Sequence, residues 1–436
     1  MDHFILNHID IITTNPANRV QKDMYIIIKG GIIQEIGKCP LPDSSKTGVP
    51  VFDQKGKWLL PGMYNTHAHT PMSLLRGVAD DVPLKAWLEQ EIWPRESLLD
   101  ERKVKAGTSL ALAEMIRSGT VAFLDMYHLH MNQVFDITVD AGLKAVLSRG
   151  MIGLGAKYEQ NEKLKEACEL ADYWNETGKG KVKGMLFPHA PYTCPPNFLE
   201  DVISQARSRQ FKIGTHLAET KEEVNEHHNR YGKSPIRHLH DLGFFEQEAI
   251  LTHVVHVSDE ELELLKGDLI TVSHNPMSNA KLGSGTAPLP KMLKQGIKVS
   301  IGTDSTASNN NLDMFQEMRT AALMQKTVEQ NPASLTADQI FEMGTLHGAD
   351  ALGFTGKGLI SPGGPADFIM MDASSLHLQP EENIFSHLIY SASGHDVTDV
   401  FVSGSQLMKD RELLTLDEEK IIYEANECFK GLKNGF

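Results

Sequence analysis

Pro61-Gly62-Met63-Tyr64-Asn65-Thr66-His67-Ala68-His69 brings a short apolar run, Leu59–His67, to its end on two histidines one residue apart. Alternate side chains of an extended chain point to the same side, so His67 and His69 aim both imidazoles at one point while Ala68 turns away. Seven further runs of this kind follow: Thr120–Met126, Leu143–Arg149, Val182–His189, Lys212–His216, Ala249–His253, Leu269–His274 and Val299–Asp304. Helical periodicity fills most of the gaps. Val104–Arg117 carries apolar Leu110, Ala113 and Ile116 after a Thr108-Ser109 start, and Leu312–Val328 has the same spacing. Alternating βα units imply a parallel sheet, and eight of them suit an α/β fold of the (β/α)8, TIM-type barrel kind. An open doubly wound sheet is the alternative. It loses its main support because no GxGxxG follows the first run and no GxxxxGK[ST] occurs in the chain.

The two ends of the chain have a different texture. Phe4–Thr14 and Met24–Lys29 are rich in β-branched residues, and Gly30-Gly31 turns the second into Ile32–Ile36 as a hairpin. Ala366–Met371, Val397–Val402, a Ser403-Gly404 turn and Gln406–Met408 return to that pattern. These segments are expected to pair as one small β-sandwich from residues 1–58 and 361–436, with the barrel spanning 59–360.

Composition narrows the function. Of 436 residues 41% are hydrophobic and 23% charged, which excludes disordered and fibrous classes. Acidic residues outnumber basic ones 57 to 42, for a net charge of −15. Such a surface repels phosphate backbones and anionic headgroups, so no nucleic-acid or membrane partner is expected. Cys39, Cys168, Cys194 and Cys428 lie far apart without CxxC spacing and make neither a disulfide framework nor a thiolate zinc cluster. No apolar run approaches the ~18 residues of a span. Met1-Asp2-His3 lacks the basic start of a signal peptide, so a cytoplasmic location is expected.

The chemistry sits at the strand ends. Barrel enzymes place catalytic groups at the C-terminal ends of their strands, and here those ends carry His67 and His69, His189, His216, His253 and Asp304. A lone histidine near a strand end is more often a hydrogen-bonded core or surface residue, and His128, His130 and His377 are read that way. An Asp after an apolar run is commonly a turn or cap residue. Several strands ending in nitrogen or carboxylate ligands are harder to obtain from packing, because burying so many polar groups is costly without a partner. One divalent cation per subunit is such a partner; three imidazoles and a carboxylate suit zinc, with iron or manganese accepted by the same set. Such a cation brings the ionisation of bound water to roughly pH 7. Asp304 can ligate and take the water's proton, Glu219 can act as general acid, and His253 can orient water or stabilise charge. This apparatus serves an electrophilic carbon with a poor leaving group, whether an amidine-like ring carbon or an amide.

Four ordered motifs carry a resemblance: the His67-Ala68-His69 stretch, His216-Leu217-Ala218-Glu219-Thr220, Ser273-His274-Asn275-Pro276-Met277-Ser278-Asn279 and Gly302-Thr303-Asp304-Ser305. Together they resemble the amidohydrolase superfamily, and within it the 5-methylthioadenosine/S-adenosylhomocysteine deaminases, over essentially the whole chain. The resemblance implies metal-dependent deamination of a small-molecule nucleoside at the adenine ring, giving the inosine-type product and ammonia. It implies His67, His69, His216 and Asp304 as metal ligands, and Glu96, Arg149, His189 and Glu219 as substrate contacts, with Asp304 also facing the substrate. Glu96 suits the two ribose hydroxyls, Arg149 a homocysteine carboxylate, and His189 a purine ring nitrogen. Against these roles, Glu96 is equally suited to a helix start and Arg149 to an internal salt bridge. Superfamily barrels of this type are often homo-oligomers. Strand four ends in His189, with Lys183 at its beginning, so a carboxylated lysine bridging two metals is not expected. The alternative reading is a related mononuclear enzyme acting on a guanine, cytosine or s-triazine ring.

Overall fold

In the computed structural model, which describes residues 3–43, 48–355 and 359–433, the chain opens with five strands. They are β1 (His3–Ile12), β2 (Val20–Lys29), β3 (Ile32–Lys38), β4 (Val51–Asp53) and β5 (Lys57–Pro61). Met1 and Asp2, part of the start read as lacking a signal peptide, lie outside the described residues, as do 434–436 of the C-terminal segment. Gly30 and Gly31 stand at φ 60° and 74° and turn β2 into β3, as the hairpin pattern requires.

The middle of the chain supplies β6 (Met63–Ala68), β7 (Thr120–Tyr127), β8 (Lys144–Met151), β9 (Val182–Gly184), β10 (Phe187–Pro188), β11 (Ile213–Leu217), β12 (Ala249–His253), β13 (Ile270–His274) and β14 (Lys298–Ile301). β6, β7 and β8 pair in parallel, with β9 and β10 both on β8, and β11 to β14 form a second parallel set. Single parallel bridges, Leu186 to Ile213 and Ala68 to Asp304, join the two sets at both seams. The ring therefore closes as a TIM-type barrel. Every residue of β6, β7, β11, β12 and β13 is buried, which is why these strands read as continuous apolar runs rather than alternations. The fourth run is interrupted for a local reason. Met185 N–H bonds back to Leu147 while Leu186 N–H reaches Lys212 on the other side, so the chain changes neighbours midway.

Two sequence expectations shift. Leu59–His67, read as one strand, is two. A β-carbon on Gly62 would lie 2.2 Å from Val121 Cγ1, so the chain passes there only as glycine and leaves one sheet for the other. The helix expected to start at Thr108-Ser109 spans Glu101–Arg117, because Asp100 caps Lys103 N–H and both Thr108 and Ser109 are buried inside it.

β15 (Phe368–Asp372), β16 (Val397–Val402), β17 (Ser405–Lys409) and β18 (Glu412–Leu413) complete the chain. β15 pairs antiparallel with β5, and β5 parallel with β1, so both ends of the chain share one nine-stranded sheet in the order β18-β17-β16-β15-β5-β1-β2-β3, with β4 on β1. Phe4 and Phe401, on strands three places apart, bring their rings within 5.6 Å, so the sheet curls over its own apolar face. The start of β3 meets the segment before β15 through Ile33 N–H to Gly364 and Ala366 N–H to Gly31.

Barrel and terminal sheet are also tied by charge. Lys144, on β8, pairs with Asp367, and the two side chains are 7% and 1% exposed. Asp367 further accepts the Ser403 amide at 2.7 Å. Asp367→Ala leaves Lys144 buried without a counter-ion, and is expected to cost about 3–5 kcal/mol; the fall in urea-unfolding midpoint measures it. No helix among the described residues is long and apolar enough to cross a membrane. All four cysteines are free.

Candidate active site

The strand order places five polar side chains around one end of the barrel. His67 and His69 leave β6, His216 lies in β11, His253 ends β12, and Asp304 follows β14. His67 Nε2 lies 3.2 Å from His216 Nε2 and 3.5 Å from Asp304 Oδ1, and His69 Nε2 lies 3.2 Å from the same carboxylate oxygen. Ligand atoms of His67, His69 and Asp304 fall within 4.8 Å of one another, and so do those of His67, His216 and His253.

Tautomers decide what these atoms offer. His216 Nδ1–H donates to the His189 carbonyl at 2.7 Å and His69 Nδ1–H to the Met126 carbonyl at 2.5 Å. Each Nε2 is therefore the ring atom turned toward the cluster centre, and offers its lone pair there when the ring is neutral. Burial pushes His67 down to about 4 against the pull of Asp304, and holds His216 well below the ordinary histidine value. Burial also lowers His69, but the bond and charge of Asp304 outweigh it and raise that group. For Asp304 burial is outweighed in turn by the bonds from His67 and His69, which hold its carboxyl well below the usual range. Facing lone pairs and a carboxylate at this spacing repel one another unless a cation lies between them, so the donor set fits a metal ion.

Backbone conformation does the aiming. Ala218, His253, Val254 and Asp304 all adopt positive φ, between 46° and 77°, a strained region for residues with a side chain that clusters at functional sites. A β-carbon on Gly302 would lie 2.7 Å from the His67 amide nitrogen, so this glycine admits the close approach of β14 to β6. Asp304 N–H then bonds the His67 carbonyl at 2.9 Å. Its Oδ2 accepts from Ser278 at 2.6 Å and Ser308 at 3.1 Å, leaving Oδ1 turned to the imidazoles.

A cavity of about 320 Å3 opens above the cluster, lined by His69, His189, Glu219, His253 and Asp304, and by Glu96, Arg149 and Trp93. Every residue named from the sequence except His67 thus faces one space, and His67 lies fully buried beneath it. Glu219 accepts from Ser284 at 3.3 Å and stands 3.6 Å from His253 Nε2. Burial and the charge of Asp304 push its carboxyl up to about 8. His253 Nδ1 is held by Asn279 Oδ1 at 2.8 Å. His189 Nδ1 bonds Thr193 at 2.9 Å, and burial pushes the ring down to about 3, so it is neutral. Glu96 ends the short helix Trp93–Glu96, buried, and desolvation raises its carboxyl. The buried Tyr127 hydroxyl lies beside Glu96 and opposes part of that rise.

Arg149 forms the internal salt bridge weighed for it and also faces the cavity. Its guanidinium bonds Glu166 at 2.8 Å and the Gly150 carbonyl at 2.8 Å, and it still lines the cavity. Two residues escaped the sequence reading. Lys163 lines the cavity beside Arg149; nothing in its helical surroundings distinguishes it from a surface lysine. Glu223 accepts the amides of Ala218 and Glu219 at 3.0 and 2.8 Å with its two oxygens, while Thr220 caps the Glu223 amide. Thr220-x-x-Glu223 is a capping-box spacing, the signal that would have found it. Of the histidines read as ordinary, His128 also borders the cavity, while His377 pairs with Asp396 at 2.9 Å.

The chain belongs to the amidohydrolase family, whose sequence profile matches residues 58–407. It is 47% identical over 431 residues to the 5-methylthioadenosine/S-adenosylhomocysteine deaminase of Halalkalibacterium halodurans, covering 98% of each chain. It is 42% identical over 432 residues to the 5′-deoxyadenosine deaminase of Methanosarcina mazei, covering 99% of each. Among solved structures, an adenosine deaminase from Xanthomonas campestris with bound zinc superposes with a TM-score of 0.93 at 32% identity, over 99% of this chain and 98% of that one.

Proposed function

We propose that this protein is a hydrolytic deaminase that replaces the 6-amino group of the adenine ring by oxygen in 5′-methylthioadenosine and S-adenosylhomocysteine, with adenosine in the same class. Water and the nucleoside give the inosine-type product and ammonia. One observation carries the reading. A single cavity combines converging imidazole lone pairs and Asp304 with a buried, proton-holding Glu219 and a second buried acid, Glu96. The names of the full-length relatives support the same substrate class.

His67, His69, His216 and Asp304 would hold one divalent cation, zinc by preference, with iron and manganese suited to the same donors. When bound, the cation supplies Lewis acidity that brings the ionisation of water to roughly pH 7. Asp304 accepts the proton of the attacking water. Glu219 gives its proton to ring N1, takes up the proton of the new C6 hydroxyl as the carbonyl forms and passes it to the departing amine. The proton held by Asp304 returns to Glu219, so that both groups regain their starting forms. His253, fixed by Asn279, orients the water and steadies charge at the attacked carbon. His189, neutral and anchored by Thr193, bonds a purine ring nitrogen. Glu96 accepts both ribose hydroxyls, and Arg149 meets the homocysteine carboxylate by exchanging Glu166, whose side chain is 53% exposed. Residues 59–360 act as the catalytic barrel in this proposal. Residues 1–58 and 361–436 form one β-sandwich, supported by their shared nine-stranded sheet, and the enzyme works in the cytoplasm.

The direct test incubates the metal-loaded protein with each nucleoside and follows the ultraviolet change from adenine to hypoxanthine. Turnover of guanine or cytosine in its place would move the assignment to a related ring deaminase. Glu96→Gln is expected to raise KM for nucleosides about 10–100-fold, the loss of charged hydrogen bonds worth about 1.5–3 kcal/mol, with free adenine unaffected. Equal losses on nucleoside and base would argue against ribose recognition. Glu223→Gln gives up one of the two amides that fix Glu219. Its kcat is expected to fall about tenfold or more with little change in KM or cation content, because misplacement costs the chemical step; steady-state kinetics with metal analysis separates the two.

A further inference from the structure

Away from the barrel, three ligating groups of different chemistry meet on the terminal sheet. His8 on β1, Asp23 on β2 and Cys39, the residue after β3, bring an imidazole nitrogen, a carboxylate oxygen and a thiol sulfur within 4.8 Å of one another. They come from three neighbouring strands, so their meeting belongs to the sheet and not to one loop. The register explains it. β1 and β2 lose step between Leu6 and Ile9, and His8 and Asp23 both take the left-handed conformation, at φ 55° and 54°. Each side chain leaves the ordinary alternation and turns toward the other. His8 Nδ1 lies 2.7 Å from Asp23 Oδ1. Asp10 accepts the Asp23 amide at 2.8 Å, and Cys39 N–H bonds the Asp23 carbonyl at 3.0 Å, which fixes the third strand to the same residue. The Cys39 sulfur rests beside Asn7 Oδ1 at 3.2 Å and against the apolar cluster of Ile5, Tyr25 and Leu41. The His8 and Asp23 side chains stand at the solvent edge, 42% and 58% exposed.

We propose that His8, Asp23 and Cys39 form a second metal site, for a divalent transition cation of the zinc class, separate from the barrel cluster. A thiolate and a carboxylate bring two negative charges to one point and the imidazole brings none, so one divalent ion balances the set. Bond lengths of about 2.3 Å to sulfur and about 2.0 Å to nitrogen and oxygen place ligand atoms roughly 3–4 Å apart. The three donors lie within 4.8 Å of one another, and the ion replaces the proton between His8 Nδ1 and Asp23 Oδ1, opening that pair slightly from 2.7 Å. The sulfur ligand selects against magnesium and calcium, which take oxygen donors. Three protein ligands leave one tetrahedral position open on the exposed side, where water completes it.

Cobalt(II) is the probe. Titrated into the protein with its barrel cation in place, it is expected to give a thiolate-to-cobalt charge-transfer band, saturating at one added equivalent. The barrel donors contain no sulfur, so the band reports only this site. Cys39→Ser is expected to abolish the band and lower total zinc from two ions per chain to one, with deaminase activity unchanged. A titration of the unaltered protein that shows no thiolate band, or only one zinc per chain, overturns the proposal without any variant. A band that survives Cys39→Ser overturns it as well. Neither result bears on the deamination assay, so the two assignments stand or fall separately.

Discussion

Glu219→Gln is expected to lower kcat by about 10²–10⁴-fold while the protein keeps its bound cation. Glutamine preserves the shape of the side chain and its contact with Ser284, but it cannot give or take a proton. The variant therefore isolates proton transfer from binding: KM should move little and metal content not at all. Loss of the cation together with activity would instead mean that Glu219 serves the metal cluster. The pH dependence follows from the same group. Burial and Asp304 hold its carboxyl up to about 8, so it is protonated at neutral pH, the form a general acid needs. Activity is thus present below that value and lost as pH rises through it. A cation beside Asp304 offsets part of the repulsion, so the alkaline limb falls at or below pH 8. The limb should be missing from the residual activity of Glu219→Gln, which a kcat–pH profile measures.

Removing a donor from the imidazole cluster should have the larger effect. His216→Ala takes away one lone pair that the His189 carbonyl has oriented, and turnover is expected to fall to background together with metal content. Chelation should do the same to the unaltered protein, with zinc restoring activity. Stability should move too, because an ion that binds only the folded state stabilises it by about 2.7 kcal/mol at a free concentration one hundred times Kd. Calorimetry of the metal-loaded and metal-free protein checks this. A chelated sample that keeps both its activity and its Tm would leave the cluster without a catalytic cation.

Much of this was legible in the chain. The eight runs and the His67-Ala68-His69 spacing rest on local periodicities, which any extended segment obeys regardless of its surroundings. Arg149 shows where such reading stops. Its two candidate roles were both chemically sound, and only the meeting of β8 with Glu166, on the helix Lys157–Thr177, revealed that the guanidinium holds an ion pair while facing the cavity. Gly62 is similar. An unbroken apolar run gives no warning that Val121 will press on its middle.

The amino-acid order alone determined the eight apolar runs, their parallel alternation with helices, and which residues stand at the strand ends, because these depend on side-chain type and period. Tertiary structure alone decided the convergence itself. Asp304 reaches His67 through left-handed backbone and a glycine-permitted approach, the two Nε2 lone pairs are set by carbonyls distant in sequence, and Glu219 owes its high pKa to burial beside Asp304. Dihedral strain, tautomer and desolvation are all properties of the packed neighbourhood, and no segment carries them before the chain has closed.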